Sequence, residues 1–428
     1  MNFSTFEPSL AQMAEWAIGF EKLPDQLEFV EQLFHIEVIQ EYSKFRSFAN
    51  KPFNGFKLKR PFEKVSSANS GYFRHLYRKE IKRKLFERGM PYIHIWYYPS
   101  NYKSVFSFRV DTDSSRREDC EAVFHLAQKN KIHLTWFIDV AARNGDLSDL
   151  PGMSVSGEDI QLHCFNHQIF ADKESVFNDI RNAYEKLESV RIHPSGYAAP
   201  YGVWSENLNA VLEELNFIYS SEFSLAHDDF PYFPLLSSRI SRILQVPIHP
   251  ICLSILAKAS FTHGEMKSYF QRIIKEKYVR RQPIMLYGHP LNEMVKYQDI
   301  LDFVFSQVSS RPKIWKPSYT EFAQWWIFRN GVRFTIRNEL YGFEVKTDVE
   351  DKRLMLRIEF PNGEEAFTPM TSGFINFSSL EKVVVSRKAN SYYNPLEPAW
   401  KSYGFFVLKI LSKFRSFSKF FLKELFYL

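Results

Sequence analysis

Two short groups of polar side chains could bind a metal ion and carry out acid–base chemistry. The first is Asp111 and Asp113, which follow an apolar run, and the second is His163 and His167, further along the chain. Carboxylate oxygens and imidazole nitrogens are ligands that divalent first-row ions accept. One carboxylate and two imidazoles leave coordination positions open for water and substrate, so these residue types predict a catalytic metal site.

The elements that must position these groups follow from the local pattern. Phe106, Phe108 and Val110 alternate with polar residues, which predicts a β-strand that ends at the two aspartates. Enzymes with α/β folds place their chemistry at the carboxyl ends of such strands. The i, i+4 spacing of His163 and His167 predicts one turn of helix that directs both imidazoles toward the same ion.

Two further segments complete an ordered set of motifs. Residues 196–202 read Gly-Tyr-Ala-Ala-Pro-Tyr-Gly, and an apolar run that begins at Ile284 ends with Leu286-Tyr-Gly-His289. The order DxD, HxxxH, PYG and LxxH resembles the polysaccharide deacetylase family, the NodB-homology proteins of carbohydrate esterase family 4. The resemblance covers residues 103–325.

The resemblance implies a fold and a role for each motif residue. The implied fold is a distorted (β/α) barrel with fewer than the usual number of repeats. Asp111 matches the general base, His289 matches the general acid, and the backbone N–H of Tyr201 is placed to assist at the oxyanion. The expected ion is divalent, with zinc preferred, and its ligands are Asp113, His163 and His167.

The chain also departs from the family pattern. Where the family has an arginine that steers the base, this sequence has Ala198. Arg109 lies two residues before Asp111, on the same face of the predicted strand, and we expect it to supply the missing positive charge. Glu222 is expected either to orient His289, as a carboxylate does in the family, or to be a surface glutamate.

The chain is long enough for several domains. At 428 residues and 50.6 kDa it exceeds one compact core of ordinary size. Residues 1–100 are predicted to be a helical N-terminal section. Alternating strands and helices over 101–330 predict the (β/α) barrel, and period-two segments over 331–400 predict a small antiparallel β domain. Within the first section, helices are expected at 11–20, 24–42 and 73–90.

Charge is concentrated at the carboxyl end. The net charge is +6, and residues 401–428 are predicted to form a basic amphipathic helix. Such a helix suits either an anionic membrane surface or burial of its phenylalanines against the barrel or a partner subunit. The sequence shows no secretory signal and no apolar run that would span a bilayer, so we expect a cytoplasmic enzyme associated with the inner face of the membrane. The three cysteines, at no disulfide spacing, agree with a reducing compartment.

These features together predict a metal-dependent carbohydrate N-deacetylase. We expect it to remove an N-acyl group, an N-acetyl in the first instance, from a nucleotide- or lipid-linked amino sugar in a surface-polysaccharide or lipopolysaccharide precursor. Two alternatives remain open: a deformylase of a lipid-linked amino sugar, and a catalytically inactive glycan-binding protein of the same fold. No nucleic-acid partner is expected.

Overall fold

A computed structural model gives the conformation of most of the chain between residues 47 and 385. It describes residues 47–50, 62–65, 79, 81–143, 146–222, 230–234, 239, 241–249, 251–258 and 261–385. The helices expected at 11–20 and 24–42 and the amphipathic helix expected at 401–428 lie outside the described residues.

The section before the barrel contains strands as well as helix. Strands β1 (Ser47–Asn50) and β2 (Phe62–Val65) pair antiparallel. Residues 81–86 are helical, within the predicted range of 73–90. The next element is strand β3 (Tyr92–Ile95), which the prediction of a helical section did not include. Four residues are too few for periodicity to separate a strand from a turn of helix, because both patterns fit so short a run.

An eight-stranded parallel sheet forms the centre of the protein. Its strands are β4 (Ser104–Asp111), β5 (Thr135–Asp139), β6 (Asp159–Cys164), β7 (Gly196–Tyr197), β8 (Tyr219–Ser220), β9 (Leu244–Gln245), β10 (Ile284–Gly288) and β11 (Ile314–Trp315). The order across the sheet is β10-β4-β5-β6-β7-β8-β9, with β11 paired to the first residues of β4. This topology confirms the predicted distorted (β/α) barrel.

Helices connect these strands and cover the sheet. They are α1 (Arg117–Lys129), α2 (Leu150–Val155), α3 (Lys173–Ser189), α4 (Glu206–Glu214), α5 (Leu253–Lys258), α6 (His263–Arg280), α7 (Gln298–Ser309) and α8 (Tyr319–Gly331). Among the helices in the described part of the chain, none combines the length and apolarity needed to cross a bilayer.

The sheet separates two apolar cores. Val105 and Phe137 belong to one buried cluster, and their chain neighbours Phe106 and Trp136 belong to the other. Successive side chains of a strand point to opposite faces, so both faces of this sheet are buried. That burial explains why β5 and β10 read as nearly continuous apolar runs.

The predicted antiparallel β domain follows the barrel. Its strands are β12 (Phe334–Glu339), β13 (Gly342–Thr347), β14 (Met355–Glu359), β15 (Glu364–Pro369), β16 (Gly373–Asn376) and β17 (Lys382–Val384). They form two sheets, β12-β13-β16 and β17-β15-β14-β3, so the N-terminal strand β3 completes the second sheet. The turn Pro361-Asn362-Gly363 joins β14 to β15, and Gly363 adopts a φ of 86° there.

Candidate active site

The last residue of β4, Asp111, is held by a buried arginine. Arg109 Nε donates to Asp111 Oδ1 at 2.5 Å and Nη2 donates to Oδ2 at 2.7 Å. Arg109 Nη1 also donates to the backbone and hydroxyl oxygens of Ser221. Burial lowers the pKa of Arg109, but the adjacent charge of Asp111 raises it more, so the net pKa lies above the ordinary range. Arg109 therefore remains a cation beside the proposed base.

Asp113, His163 and His167 converge beyond the end of β4. Asp113 Oδ1 lies 3.2 Å from His163 Nε2 and 3.3 Å from His167 Nε2. Asp113 has a φ of 40°, outside the strand, so a turn rather than strand alternation directs its side chain. Burial raises the pKa of Asp113, but the two imidazoles lower it more, and the net pKa is well below its usual range. The structure thus brings all three predicted ligands together.

The donor atoms of this group suit a divalent ion. His163 Nδ1 lies 2.6 Å from the carbonyl oxygen of Ala198, so Nδ1 donates to that carbonyl and Nε2 is the ring nitrogen that faces Asp113. Within the described part of the chain, neither Asp113 Oδ1 nor His163 Nε2 has a hydrogen-bond partner, although both are buried. Ligand atoms about 2.1 Å from one ion are about 3.0 to 3.4 Å apart, which matches the observed separations. The residues present therefore fit a metal.

The predicted helical turn between the two histidines is wrong. His163 lies in β6, and His167 lies in the irregular segment that follows it. Asp179, from α3, accepts hydrogen bonds from the backbone N–H groups of Phe165 and Asn166 at 3.0 and 2.9 Å. These bonds bend the chain after β6 and return His167 toward His163. The prediction failed because i, i+4 spacing can also span a strand end and a tight bend.

The segment that contains Tyr201 borders the metal ligands. The ring of Tyr201 meets the ring of His167 edge-on, with 4.7 Å between centroids. Tyr201 has a φ of 58° in the short turn Pro200–Gly202, which follows β7. The carbonyl of Ala198, in the same segment, accepts from His163. The role of the Tyr201 N–H at an oxyanion stays a prediction.

His289 completes the site from β10. Its Nε2 lies 3.6 Å from Asp113 Oδ2, and its Nδ1 lies 2.7 Å from Glu293 Oε2. Burial lowers the pKa of His289, but contacts with Cys252 and Glu293 raise it more, so the net pKa is well above the ordinary range. The imidazole is thus favoured in its protonated form at the edge of the metal site.

The carboxylate beside His289 is Glu293, and the expectation that Glu222 would orient this histidine needs correction. Glu222 is fully buried and accepts from Ser220 Oγ at 2.9 Å and from Ala199 N at 3.3 Å. Burial raises the pKa of Glu222 to about 7. Glu222 therefore supports the backbone beneath the Ala198 segment. Sequence reasoning missed Glu293, for which the only signal was its position four residues after His289.

Several solved structures resemble part of this chain at low sequence identity. No curated protein matches the chain. A solved chain from Mycobacterium smegmatis, whose description names a polysaccharide deacetylase, shares 15% identity at a TM-score of 0.47 over 57% of this chain and 98% of its own. A second solved chain, from Pseudomonas aeruginosa PAO1, has the same name in its description. It shares 16% identity at a TM-score of 0.46, over 53% of this chain and 91% of its own. The family 4 carbohydrate esterase from Streptomyces lividans shares 11% identity at a TM-score of 0.34, over 51% of this chain and 92% of its own.

The family comparison is more specific. The polysaccharide deacetylase family model matches residues 103–220, which include the DxD, HxxxH and PYG motifs. The resemblance inferred from the DxD, HxxxH and PYG motifs is confirmed over residues 103–220, which match the polysaccharide deacetylase family model.

Proposed function

We propose that this protein is a metal-dependent hydrolase that removes an N-acyl group, in the first instance an N-acetyl group, from an amino sugar. The observation that carries the proposal is the convergence of Asp113, His163 and His167, with unpaired buried donor atoms, beside a carboxylate and an imidazole. These are the groups that metal-assisted amide hydrolysis requires. The deacetylase domain over residues 103–220 supports an acylated sugar as the substrate class.

The metal would be held by Asp113, His163 and His167, with zinc the preferred ion. When bound, a divalent ion supplies Lewis acidity, which polarises an acyl carbonyl and acidifies a nucleophilic water. Ala198 accepts from His163 Nδ1 and so fixes the tautomer in which Nε2 is the ligand atom. Tyr201, whose ring contacts His167, is proposed to contribute its backbone N–H to the carbonyl oxygen as negative charge develops there.

Asp111 is proposed as the general base. Two bonds from Arg109 fix its carboxylate at the end of β4 and neutralise its charge in a buried setting. A carboxylate has about four lone-pair positions, so it retains capacity to accept a proton from water. Arg109 is then the positioning residue that does what the arginine absent at Ala198 does in the family.

His289 is proposed as the general acid. Glu293 accepts from Nδ1 and leaves Nε2 directed toward Asp113, on the side where substrate would lie. From Nε2 the proton would pass to the leaving amine as the amide C–N bond breaks. Two charged partners, Asp113 and Glu293, stabilise the imidazolium before that transfer.

The natural substrate is proposed to be a nucleotide- or lipid-linked precursor of a surface polysaccharide or lipopolysaccharide. This part of the proposal comes from the sequence, in which the basic tail at 401–428 suits an anionic membrane surface. Flotation with anionic liposomes should therefore retain the full chain and lose a chain that ends at Tyr403. Equal flotation of the two chains would remove the membrane role from the tail.

The function is tested by acyl release. Metal-loaded protein is incubated with a panel of nucleotide- and lipid-linked N-acylamino sugars, and released acetate and formate are measured separately. We expect acetate from at least one sugar, with release reduced by about 100-fold or more in Asp111→Asn. Formate alone would identify a deformylase. Binding of a sugar with no release of either acid, from protein that retains its metal, would contradict hydrolysis.

A further inference from the structure

A second cluster of metal-ligating side chains lies beside the site described above. Cys252, His289 and Glu293 each offer one ligand atom, and the three atoms lie within 4.8 Å of one another. Cys252 precedes α5, and the segment that carries it is joined to β10 by a hydrogen bond from His249 N to Met285 O at 2.7 Å. Different parts of the chain thus converge on one point next to His289.

One atom of this cluster lacks a partner. Glu293 is only 1% exposed, and its Oε2 accepts from His289 Nδ1 at 2.7 Å. Its other oxygen, Oε1, is buried and has no hydrogen-bond partner among the residues that the structure describes. A buried carboxylate oxygen without a partner is unfavourable, and a cation would satisfy it. The unpaired oxygen is therefore an observation that points to a ligand, independent of the thiol.

The donor types differ from those of the first site. Asp113, His163 and His167 offer oxygen and nitrogen, whereas this cluster adds the sulfur of Cys252. Cys252 Sγ lies 3.1 Å from Ser254 Oγ, a weak interaction that a metal–sulfur bond would outcompete. Thiolate with imidazole and carboxylate favours zinc and similar ions over magnesium or calcium.

We propose that Cys252, His289 and Glu293 form a second cation site, selective for soft divalent ions such as Zn²⁺, Co²⁺ or Cd²⁺. When the ion binds, the Cys252 thiol releases its proton to solvent, and a sulfur lone pair forms the metal–sulfur bond without any change of oxidation state. A ring nitrogen of His289 and an oxygen of Glu293 complete the protein ligands. The remaining position is open to water or to an exogenous ligand.

Occupation of this site has a consequence for catalysis, which rests on the proposed function. His289 is the proposed proton donor, and a metal bound to its ring would remove that proton. Excess zinc should then inhibit an enzyme that one equivalent of metal activates. The existence of the site does not depend on hydrolysis, because metal binding is measured directly.

The test is a Co²⁺ titration of the full, metal-free chain. A sulfur-to-cobalt charge-transfer band in the near ultraviolet arises only when a thiolate is a ligand, so it reports the second site alone. We expect no such band for the first equivalent and a band that grows with the second. Cys252→Ala and Cys252→Ser should lose the band and keep the first equivalent.

Matched variants separate the two sites. Cys164→Ala removes another buried cysteine, the one that lies between the two histidine ligands, and should keep the band. The double variant His163→Ala/His167→Ala should lose the first equivalent and also keep the band, so failure of the first site is distinguishable from failure of the second. Absence of the band in the parent protein at excess Co²⁺, or its persistence in both Cys252 variants, would overturn the proposal.

Discussion

At the scale of residues, the site depends on one pair that the sequence pattern determines. Arg109 and Asp111 are two positions apart on β4, so their side chains share a face and meet in two hydrogen bonds. That contact could be predicted from strand alternation alone. Glu293 could not, because its contact with His289 depends on the short turn Pro290–Met294, which periodicity does not predict.

The first prediction concerns Arg109. In Arg109→Ala the buried carboxylate of Asp111 loses its cation and the two hydrogen bonds that fix it at the end of β4. The rate should fall by about tenfold or more, and the profile of kcat/KM against pH should change. Arg109→Lys keeps the positive charge and should restore part of the parental rate and part of the parental pH profile. Arg329→Ala removes another buried arginine and should leave the profile unchanged; an unchanged profile in Arg109→Ala as well would exclude Arg109 from the mechanism.

The second prediction concerns Glu222 and stability. A glutamate ordinarily titrates near 4.5, whereas burial raises the pKa of Glu222 to about 7. Between these values the native state binds a proton that the unfolded state has lost, so stability falls as pH rises through this interval. The contribution is on the order of 3 kcal/mol, from about 1.4 kcal/mol per pKa unit.

Urea unfolding at about pH 5 and at about pH 8 tests whether stability falls as the pH rises. The loss of stability between the two conditions should be smaller in Glu222→Gln than in the parent protein, because glutamine does not titrate. Glu174→Gln, at an exposed position of α3, serves as the control and should keep the parental difference. A Glu222→Gln protein with the parental pH dependence would show that Glu222 does not titrate in this range.

At the scale of elements, the barrel strands position the chemistry and the bends after them complete it. The strand that ends at Asp111 was predictable because its apolar residues alternate with polar ones, and the strand before His289 was predictable because it is a buried apolar run. The bend between His163 and His167 was not, because it depends on Asp179, a side chain of the following helix. Local periodicity does not contain that contact.

The third prediction concerns this bend. Asp179→Ala removes both hydrogen bonds that turn the chain at Phe165 and Asn166, so His167 loses its defined position. Metal affinity should fall by about ten- to a hundredfold, as for other changes behind metal ligands. Calorimetric titration with Zn²⁺ measures the change. Asn178→Ala, an exposed position one residue away on α3, should bind as the parent protein does; equal affinities in both variants would remove Asp179 from the site.

At the scale of the whole molecule, the β domain is tied to the barrel through a half-buried group of charges. Arg281, directly after α6, donates to Glu365 of β15 at 2.7 Å. Arg357 of β14 lies 2.8 Å from the same carboxylate and 3.2 Å from Glu359. Lys82, before β3, lies 2.6 Å from Glu359. The sequence predicted a separate β domain, but pairing between β3 and β14 joins segments too far apart for any local pattern to reveal.

The fourth prediction follows from this group. Glu365→Gln leaves Arg281 and Arg357 without their shared negative partner, and the free energy of unfolding should fall by about 3 kcal/mol. Glu364→Gln changes the adjacent residue, whose carboxylate accepts from Asn362 Nδ2 in an exposed turn, and its free energy of unfolding should fall by less than about 1 kcal/mol. Guanidinium unfolding of the two variants gives the comparison. Similar losses would show that the charge group does not stabilise the junction.

Asp113 is proposed to hold the metal and Asp111 to act as the general base on water, and these two roles are the centre of the proposed mechanism. Elemental analysis of variants made in the Cys252→Ala protein, which lacks a ligand of the second cation site and serves as the parent here, tests them most directly after reloading with a divalent ion and removal of the unbound ion. Asp111→Asn should retain close to the metal content of the parent protein, and Asp113→Ala should lose most of it, as should the double variant His163→Ala/His167→Ala. Metal content that survives in Asp113→Ala and in the histidine double variant would contradict the assignment of the site.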